Sequence, residues 1–334
     1  MSHGLIIGKF MPPHLGHQYL VDFGLAYTGA LPERGMVNGS LTVLVCTIPG
    51  EPIPGIIRYW WMTQAFPHAQ VVIHSANNPQ EPADHPDFWK IWRESIRELV
   101  PSPIDYVFAS DAYGDELARQ LDATFVPVDG SRISVPVSGT AIRENPMRHW
   151  NYIHPIARSY FAKSVAIVGP ESTGKTTMVR ALAKLYQTGH AEEYARGYLE
   201  RVRPDTQYPA PEDLLVIAKG QKASSTALLR QANKVMLHDT DVVTTAIWNE
   251  ILFGKHDAQI NDLADQQYID LRLVLDDSVP LIADPQRYGS GQRQSKVSDW
   301  TEAYDRMESP YVVLTGDWDA RYQQAIQIID KVIS

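Results

Sequence analysis

The chain has 334 residues, of which 44% are hydrophobic and 21% are charged, and it carries a formal net charge of -9. This length suits two domains of ordinary size, and the composition is typical of a soluble globular protein. The negative charge argues against a general nucleic-acid-binding surface, because such a surface needs a positive field along the phosphate backbone.

Membrane spans and targeting signals are not expected. No apolar run approaches the roughly 18 residues that a membrane span requires, and the first residues lack the basic and apolar regions of a signal peptide. We therefore expect a cytoplasmic protein with no membrane and no nucleic-acid partner. Cys46 is the single cysteine, so it cannot form an internal disulfide.

The first half of the chain alternates short β-branched runs with stretches of helical length, such as Phe88–Leu99. This alternation predicts a parallel sheet flanked by helices. The predicted strands are Leu5–Ile7, Leu41–Cys46, Val71–Ile73, Tyr106–Phe108 and Phe125–Val128.

The first predicted strand leads into "GKFMPPHLGHQYL", which starts at Gly8. We expect a helix to begin around Gly16, which places His14 and His17 beside a helix N-terminus, where anions bind. Imidazoles in that position can donate hydrogen bonds to phosphate oxygens, and Gly16 lets a nucleotide approach the backbone closely. The alternative is that the two histidines only cap the helix.

A second polar motif, "VSGTAIRENP", starts at Val137. Ser138 and Thr140 would begin another phosphate-binding helix, and Arg143, one turn later, would face the same ligand. Together with His-x-Gly-His, this motif resembles the two signatures of the nucleotidyltransferase superfamily. The resemblance implies a Rossmann-like parallel sheet and attack on the α-phosphate of a nucleoside triphosphate.

A second series of strands predicts a second α/β domain. Pro146 and Pro155 interrupt the helical stretches between the two series, and we place the boundary near Tyr160, giving domains 1–159 and 160–334. The predicted strands of the second domain are Ser164–Val168, Lys234–Leu237, Leu271–Leu275 and Tyr311–Leu314.

The second domain carries "GPESTGKTT", which follows a predicted strand and fits the Walker A pattern of a P-loop. Its glycines let the backbone N–H groups converge on a phosphate, Lys175 would neutralise the β- and γ-phosphates, and Thr176 would ligate Mg²⁺. The predicted ATP-binding residues of this loop are Gly169, Ser172, Thr173, Gly174, Lys175, Thr176 and Thr177.

Two carboxylates follow the next apolar run, "KVMLHDTD". An acidic group at the end of a strand beside a P-loop usually holds Mg²⁺, and we assign this role to Asp239. Asp241 is our candidate for the catalytic base of the P-loop domain. The alternative is that both carboxylates cap a helix beginning near Thr244.

The two motif sets in this order resemble the bifunctional nicotinamide-mononucleotide adenylyltransferase and ribosylnicotinamide kinase of bacterial NAD salvage, the NadR type. The resemblance covers nearly the whole chain and includes "FWKIW" at Phe88–Trp92, "VDGSR" at Val128–Arg132 and "EEYAR" at Glu192–Arg196. It implies a transferase that joins nicotinamide mononucleotide to ATP and a P-loop kinase that phosphorylates nicotinamide riboside, both with Mg²⁺. The family's longest forms also carry an N-terminal repressor domain, which we do not expect before Gly8.

The resemblance also implies roles for individual residues. Trp89 and Trp92, three positions apart on one helix face, could stack on the cationic nicotinamide ring; alternatively they are core residues. The catalytic candidates of the transferase are His14, His17, Lys9 and Arg143, with ATP contacts from Gly8, Phe10, Gly16, Ser138 and Thr140 and nicotinamide contacts from Trp89, Trp92 and Arg58. Lid and acceptor candidates of the kinase are Glu193, Arg196, Asp284 and Arg287.

The sequence departs from the family pattern at the kinase lid, where "LIADPQR" replaces Trp-Val-Asp-Asp-Gly-x-Arg, and at Gly197, where a glutamate is common. Two alternatives therefore stay open: a pantetheine-phosphate adenylyltransferase fused to a dephospho-coenzyme A kinase, and a transferase whose P-loop domain only senses ATP. We expect small-molecule partners, namely ATP, nicotinamide mononucleotide, nicotinamide riboside and NAD, and leave homo-oligomerisation open.

Overall fold

The structure is a computed structural model that describes residues 1–32, 37–131, 133–206, 208–278 and 295–334. These residues form two compact units, Met1–Arg158 and Ser159–Ser334. Within the described ranges, no helix has both the length and the apolar character that crossing a bilayer would take.

The first unit contains a sheet of five parallel strands in the order β3-β2-β1-β4-β5. The central strand is β1. From β1 the chain adds β2 and β3 on one side and then β4 and β5 on the other, so the strand order reverses between β1 and β4. Ligands of open α/β sheets bind at such a reversal, beyond the carboxyl ends of the strands. The strands are β1 (Ser2–Gly8), β2 (Gly39–Cys46), β3 (Gln70–His74), β4 (Tyr106–Ala109) and β5 (Thr124–Pro127).

Helices cover both faces of this sheet, which explains why its central strands read as continuous apolar runs. One face packs against α1 and α2, and the other against α3 and α4, so the unit has two core layers. Its helices are α1 (Leu15–Thr28), α2 (Gly55–Ala65), α3 (Phe88–Leu99), α4 (Tyr113–Gln120), α5 (Gly139–Glu144) and α6 (Pro155–Phe161), the last of which crosses the boundary between the units.

The second unit repeats this architecture with the strand order β10-β9-β6-β8-β7, again parallel throughout. Its central strand is β6, and β7 is a two-residue strand at the edge. The strands are β6 (Lys163–Val168), β7 (His190–Ala191), β8 (Val235–Asp239), β9 (Leu271–Leu275) and β10 (Tyr311–Leu314).

The helices of the second unit enclose two further core layers. One layer lies between the sheet and α7 and α13, and the other is built from α9, α10, α11 and α12. The helices are α7 (Lys175–Tyr186), α8 (Tyr194–Val202), α9 (Pro211–Leu228), α10 (Val242–Phe253), α11 (Ala258–Asp265), α12 (Val297–Arg306) and α13 (Trp318–Val332).

The predicted fold class, two parallel-sheet α/β domains in series, is confirmed. Every predicted strand is present, with bounds that differ by a few residues, and β7 is the strand that the sequence did not indicate. Two residues are too few to produce a recognisable pattern of alternating or continuous apolar positions.

Because each unit encloses its own core, we expect residues 1–161 and 162–334 to fold when they are expressed separately. Each fragment should show mixed helix and strand signal in circular dichroism and a single cooperative transition in urea. A fragment that remains unfolded under conditions in which the full chain is native would contradict the division into two units.

Candidate nucleotide-binding sites

The loop after β1 places the histidine pair at the carboxyl edge of the first sheet. His14 is the N-cap of α1: its Nδ1 accepts from the Gly16 N–H at 3.1 Å, while the His14 N–H donates to His17 Nδ1 at 3.3 Å. Because Nδ1 is the acceptor in both neutral rings, the proton of each ring sits on Nε2. The caps therefore fix both imidazoles as Nε2–H donors.

The two imidazole rings stack on each other, with 3.7 Å between centroids and an interplanar angle of 24°. The buried Phe10 meets the edge of the His17 ring at 4.9 Å between centroids. A side chain at Gly16 would begin 3.0 Å from the His14 ring, so glycine is the residue that lets the rings lie this close to the helix start. The histidines cap the helix, and this capping also orients them.

The second signature folds directly onto this loop. Ser138 caps α5 by accepting from the Ala141 N–H at 3.1 Å. Arg143 donates from Nη1 to the Met11 carbonyl, which lies 132 positions earlier in the chain, and from Nη2 to the Thr140 hydroxyl at 3.1 Å. A side chain at Gly139 would begin 2.7 Å from the Met11 carbonyl oxygen. Thus the two signatures meet at one edge of the sheet.

The predicted role of Arg58 in nicotinamide binding stays a prediction, and the contacts of this side chain favour a structural role. Its side chain is fully buried and donates to the carbonyls of Ile53, Lys9 and Cys46 and to the Glu51 carboxylate. All of these partners are protein atoms, so Arg58 has a structural role in holding the loop after β1 against α2.

Glu51 links this buried cluster to the surface, because its carboxylate also lies 3.1 Å from the Lys9 ammonium group. The Lys9 side chain is 46% exposed. Burial opposes ionisation, but the Ile48 N–H, Lys9 and Arg58 together hold the pKa of Glu51 below its ordinary value. The carboxylate therefore orients the predicted catalytic residue Lys9. No motif marked Glu51, because its partners lie in separate segments.

Trp89 and Trp92 are half-buried at the start of α3, at the margin of one core layer. The Trp92 ring stacks on His74, at the carboxyl end of β3, with 5.0 Å between centroids, and its Nε1–H donates to the Pro79 carbonyl at 2.9 Å. Both interpretations, core residue and stacking platform, fit this partial burial, so the nicotinamide-binding role stays a prediction.

The P-loop adopts the conformation that its sequence predicts. Gly169, Ser172 and Gly174 have positive φ values of 126°, 61° and 92°, and α7 begins at Lys175. A side chain at Gly169 would begin 2.6 Å from the Leu275 carbonyl oxygen of β9. The Lys175 ammonium group donates to the carbonyls of Gly169 and Pro170 at 2.9 and 2.8 Å, which places it over the loop.

Thr173 is buried within the same loop, and Thr177 is exposed on the first turn of α7. The buried guanidinium of Arg321, on α13, donates to the Thr173 carbonyl at 3.1 Å and so stabilises the conformation of the loop. Arg321 was not indicated by any sequence motif, because it lies 148 positions beyond Thr173 on a helix that reads as ordinarily amphipathic.

Thr176 and Asp239 lie together beside the P-loop, with 2.6 Å between the threonine hydroxyl and Asp239 Oδ2. Asp239 is 1% exposed, and its Oδ1 has no hydrogen-bond partner among the described residues. Burial, with the nearby Glu193 carboxylate, raises the pKa of Asp239 to about 6. These features fit a divalent cation held by Thr176, Asp239 and phosphate oxygens together. Among the described residues, no group of three acidic, histidine or cysteine side chains is placed to hold a metal ion.

A cavity of about 480 Å³ opens beside this pair. Its walls come largely from α8 and the segment before it, and they carry both signs of charge: Glu193 and Arg196 lie 3.8 Å apart, and Arg180 pairs with Glu192 at 2.7 Å. The structure thus brings the predicted acceptor residues Glu193 and Arg196 to the P-loop. Asp284 and Arg287, the predicted lid residues, lie outside the described residues.

The assignment of Asp241 as catalytic base stays a prediction, and the contacts of this carboxylate favour the capping alternative. Its carboxylate is fully buried, accepts from Arg272 Nε at 2.8 Å and the Tyr304 hydroxyl at 3.2 Å, and caps α10 through the Thr244 N–H. The capping alternative therefore holds for Asp241. Asp239, two residues earlier at the end of β8, instead lies beside Thr176 at the P-loop.

Comparison with known proteins gives a consistent result. A family model described as an AAA domain matches residues 164–321. The trifunctional NAD biosynthesis/regulator protein NadR of Escherichia coli is 28% identical over 347 aligned positions, which cover 99% of this chain and 83% of that protein. Its counterpart in Salmonella typhimurium is 27% identical with the same coverage.

Two solved structures share the fold. A NadR protein in complex with NR aligns with a TM-score of 0.77, and a NadR protein in complex with NAD and AMP-PNP aligns with a TM-score of 0.75. Both are 23% identical in sequence and cover 99% of this chain and 95% of the solved chain.

Arg58→Met should destabilise the chain by about 3 kcal/mol or more, because it leaves Glu51 with fewer partners and removes the donor to three buried carbonyls. Urea unfolding of the first unit measures the change. Lys9→Met removes the exposed member of the same cluster and should cost about 1 kcal/mol or less. Equal losses for the two variants would contradict the structural role of Arg58.

Asp239→Asn and Asp241→Asn should move the stability of the second unit in opposite directions. Asp241→Asn leaves the buried Arg272 guanidinium poorly paired and should lower the melting temperature. Asp239→Asn removes a carboxylate whose ionisation is opposed by burial, so it should raise the melting temperature at pH 8. This gain should fade as the pH falls from about 6, the pKa of Asp239 in the folded chain, towards about 4, its pKa in the unfolded chain. Thermal denaturation at pH 8 and pH 4 decides this; the same sign for both variants would be inconsistent with our assignment.

Proposed function

We propose that this chain, which is a protein of the NadR type, makes NAD in two ATP-dependent steps, one in each unit. The observation that carries the proposal is the meeting of the two transferase signatures, in which Arg143 reaches the Met11 carbonyl of the histidine loop. A second nucleotide site, the P-loop with its adjoining cavity, lies in the same chain. The chain is therefore a nucleotidyltransferase and a kinase.

In the first unit, a phosphate oxygen of nicotinamide mononucleotide attacks the α-phosphorus of ATP. The bond from the α-phosphorus to the bridging oxygen breaks, and pyrophosphate leaves with the electron pair. His14 and His17 donate their Nε2–H groups to phosphate oxygens, while Lys9 and Arg143 add positive charge to the same region. Gly8, Phe10, Gly16, Ser138 and Thr140 shape the surrounding ATP site, and Trp89 and Trp92 border the nicotinamide ring.

In the second unit, the 5′-hydroxyl of nicotinamide riboside attacks the γ-phosphorus of ATP, and ADP leaves. The P-loop, from Gly169 through Ser172 to Thr177, surrounds the phosphates with backbone N–H groups, and Lys175 neutralises their charge. The riboside occupies the cavity bounded by α8, where Glu193 accepts the proton of the hydroxyl and Arg196 faces the transferred group. Thr176 and Asp239 would hold Mg²⁺, which would supply charge neutralisation to the phosphates.

The fusion of a pantetheine-phosphate adenylyltransferase with a dephospho-coenzyme A kinase has the same architecture, but relatives of the NadR type match over 99% of the chain and favour NAD synthesis. A P-loop domain that only senses ATP needs no cavity for a second substrate, and the cavity beside Thr176 and Asp239 therefore supports the kinase. The cytoplasmic location and the absence of a nucleic-acid partner stay predictions.

Parallel assays with product detection by mass test the assignment: nicotinamide mononucleotide with ATP should give NAD, and nicotinamide riboside with ATP should give the mononucleotide. His17→Ala should slow NAD formation by about 10²–10³-fold and leave riboside phosphorylation unchanged, because it removes one donor to the reacting phosphate. Lys175→Ala should do the reverse, so each variant controls for the folding of the other.

Three outcomes would oppose the proposal. Formation of dephospho-coenzyme A from pantetheine phosphate, without NAD formation from the mononucleotide, would support the coenzyme A fusion. NAD formation without any riboside phosphorylation would support the ATP sensor. Loss of both activities in His17→Ala, in a protein that still melts cooperatively, would contradict the assignment of one activity to each unit.

A further inference from the structure

Gly220 lies inside α9, an 18-residue helix, and is not explained by helix formation. Glycine in a helix interior costs about 1 kcal/mol relative to alanine. The structure gives a reason for this residue: an ideal Cβ at position 220 would lie 2.1 Å from Cε1 of Tyr194 and 2.4 Å from two further atoms of its ring. The Tyr194 ring therefore rests directly on the backbone of α9, in space that any side chain at position 220 would occupy.

The neighbouring residue, Gln221, holds the backbone of the same tyrosine. Its side chain is buried, and its Oε1 accepts from the Tyr194 N–H at 2.8 Å. Tyr194 is the first residue of α8, and Glu193 is the N-cap of that helix. One turn of α9 thus fixes both the ring and the backbone at the start of α8.

A second contact prevents α8 from rotating about this point. The Tyr198 ring stacks on Tyr194, with 6.2 Å between centroids and an interplanar angle of 27°, and its hydroxyl donates to Asp213 of α9 at 3.0 Å. Arg203 also donates to Asp213 at 2.9 Å. The orientation of α8 is therefore set by α9 along its length.

The N-terminal turn of α8 forms the wall of the acceptor cavity. Glu193, Tyr194 and Arg196 line it together with Thr176 and Asp239. We propose that Gly220 is a positioning residue for the acceptor of the kinase step: the space left by its missing side chain seats Tyr194 and so sets where Glu193 and Arg196 stand relative to the P-loop. This inference rests on the proposed riboside kinase function.

Gly220→Ala tests the proposal. Tyr194 is 37% exposed, so its ring can swing outwards without unfolding the unit, but this movement shifts the cavity wall. Misplacement of a positioning element by about 1 Å can cost up to roughly 100-fold in rate. We expect the KM for nicotinamide riboside to rise at least about 10-fold, with the KM for ATP and the rate of NAD formation unchanged.

The matched control is Lys219→Ala, which truncates an exposed neighbour on the same helix and should leave all three parameters at wild-type values. Tyr194→Ala and the double variant Gly220→Ala/Tyr194→Ala complete a cycle. Once the ring is absent, the added methyl group has nothing to displace, so the double variant should match Tyr194→Ala. A merely structural role for Gly220 would change the melting temperature and leave the KM for the riboside unchanged.

The outcomes separate the two proposals. A wild-type chain that phosphorylates the riboside, with wild-type kinetics in Gly220→Ala, overturns the inference and leaves the kinase function intact. A wild-type chain that makes NAD but neither binds nor phosphorylates the riboside overturns the kinase function and the inference together. If Gly220→Ala fails to fold, recovery of folding in the double variant supports the steric conflict with Tyr194, and failure of both contradicts it.

Discussion

Both nucleotide sites depend on one constraint, the parallel pairing of a central strand that is buried on both faces. Parallel pairing brings all carboxyl ends to the same edge of a sheet, and helices on both faces leave that edge as the place where loops converge. The histidine loop follows β1 and the P-loop follows β6, each the middle strand of its sheet. In the proposed function, backbone N–H groups at the start of the following helix would supply most of the phosphate-binding surface, because a chain of net charge -9 offers no general positive field.

The fold and the two phosphate loops were accessible from the sequence because they are encoded locally. Short apolar, β-branched runs mark the strands, and the P-loop glycines mark the backbone turns. Helix caps are also encoded in the local sequence, because His14 and Ser138 are the N-caps of helices that begin near the predicted places. The spacing of the motif residues does not indicate the tautomer of either histidine. The tautomers follow from the hydrogen bonds that the two Nδ1 atoms accept at the start of α1.

The two assignments that the contacts disfavour, Arg58 and Asp241, share a physical cause. Arg58 and Asp241 are charged residues near motif residues, and a charged residue in such a place is expected to meet ligand. Each is instead neutralised by a partner that only tertiary structure brings near, Glu51 for Arg58 and Arg272 for Asp241. Asp239 and Asp241 show the distinction most clearly, since one ends a strand beside Thr176 while the other turns into the core between Arg272 and Tyr304. Sequence spacing cannot distinguish these fates, because it does not give the orientation of either side chain after the strand ends.

Glycines at close backbone contacts contribute to the geometry of both sites, because a side chain at these positions would meet a neighbouring atom. Gly139 lets α5 approach the Met11 carbonyl, Gly169 lets the P-loop pass the Leu275 carbonyl, and Gly220 lets α8 rest on α9. At the first two positions the obstacle is backbone, which cannot give way without displacing a strand or the catalytic loop. At Gly220 the obstacle is a partly exposed ring, which can move and leave the fold intact. A substitution there should therefore alter the acceptor site selectively, whereas a substitution at Gly139 or Gly169 should disturb the backbone of the site in its own unit.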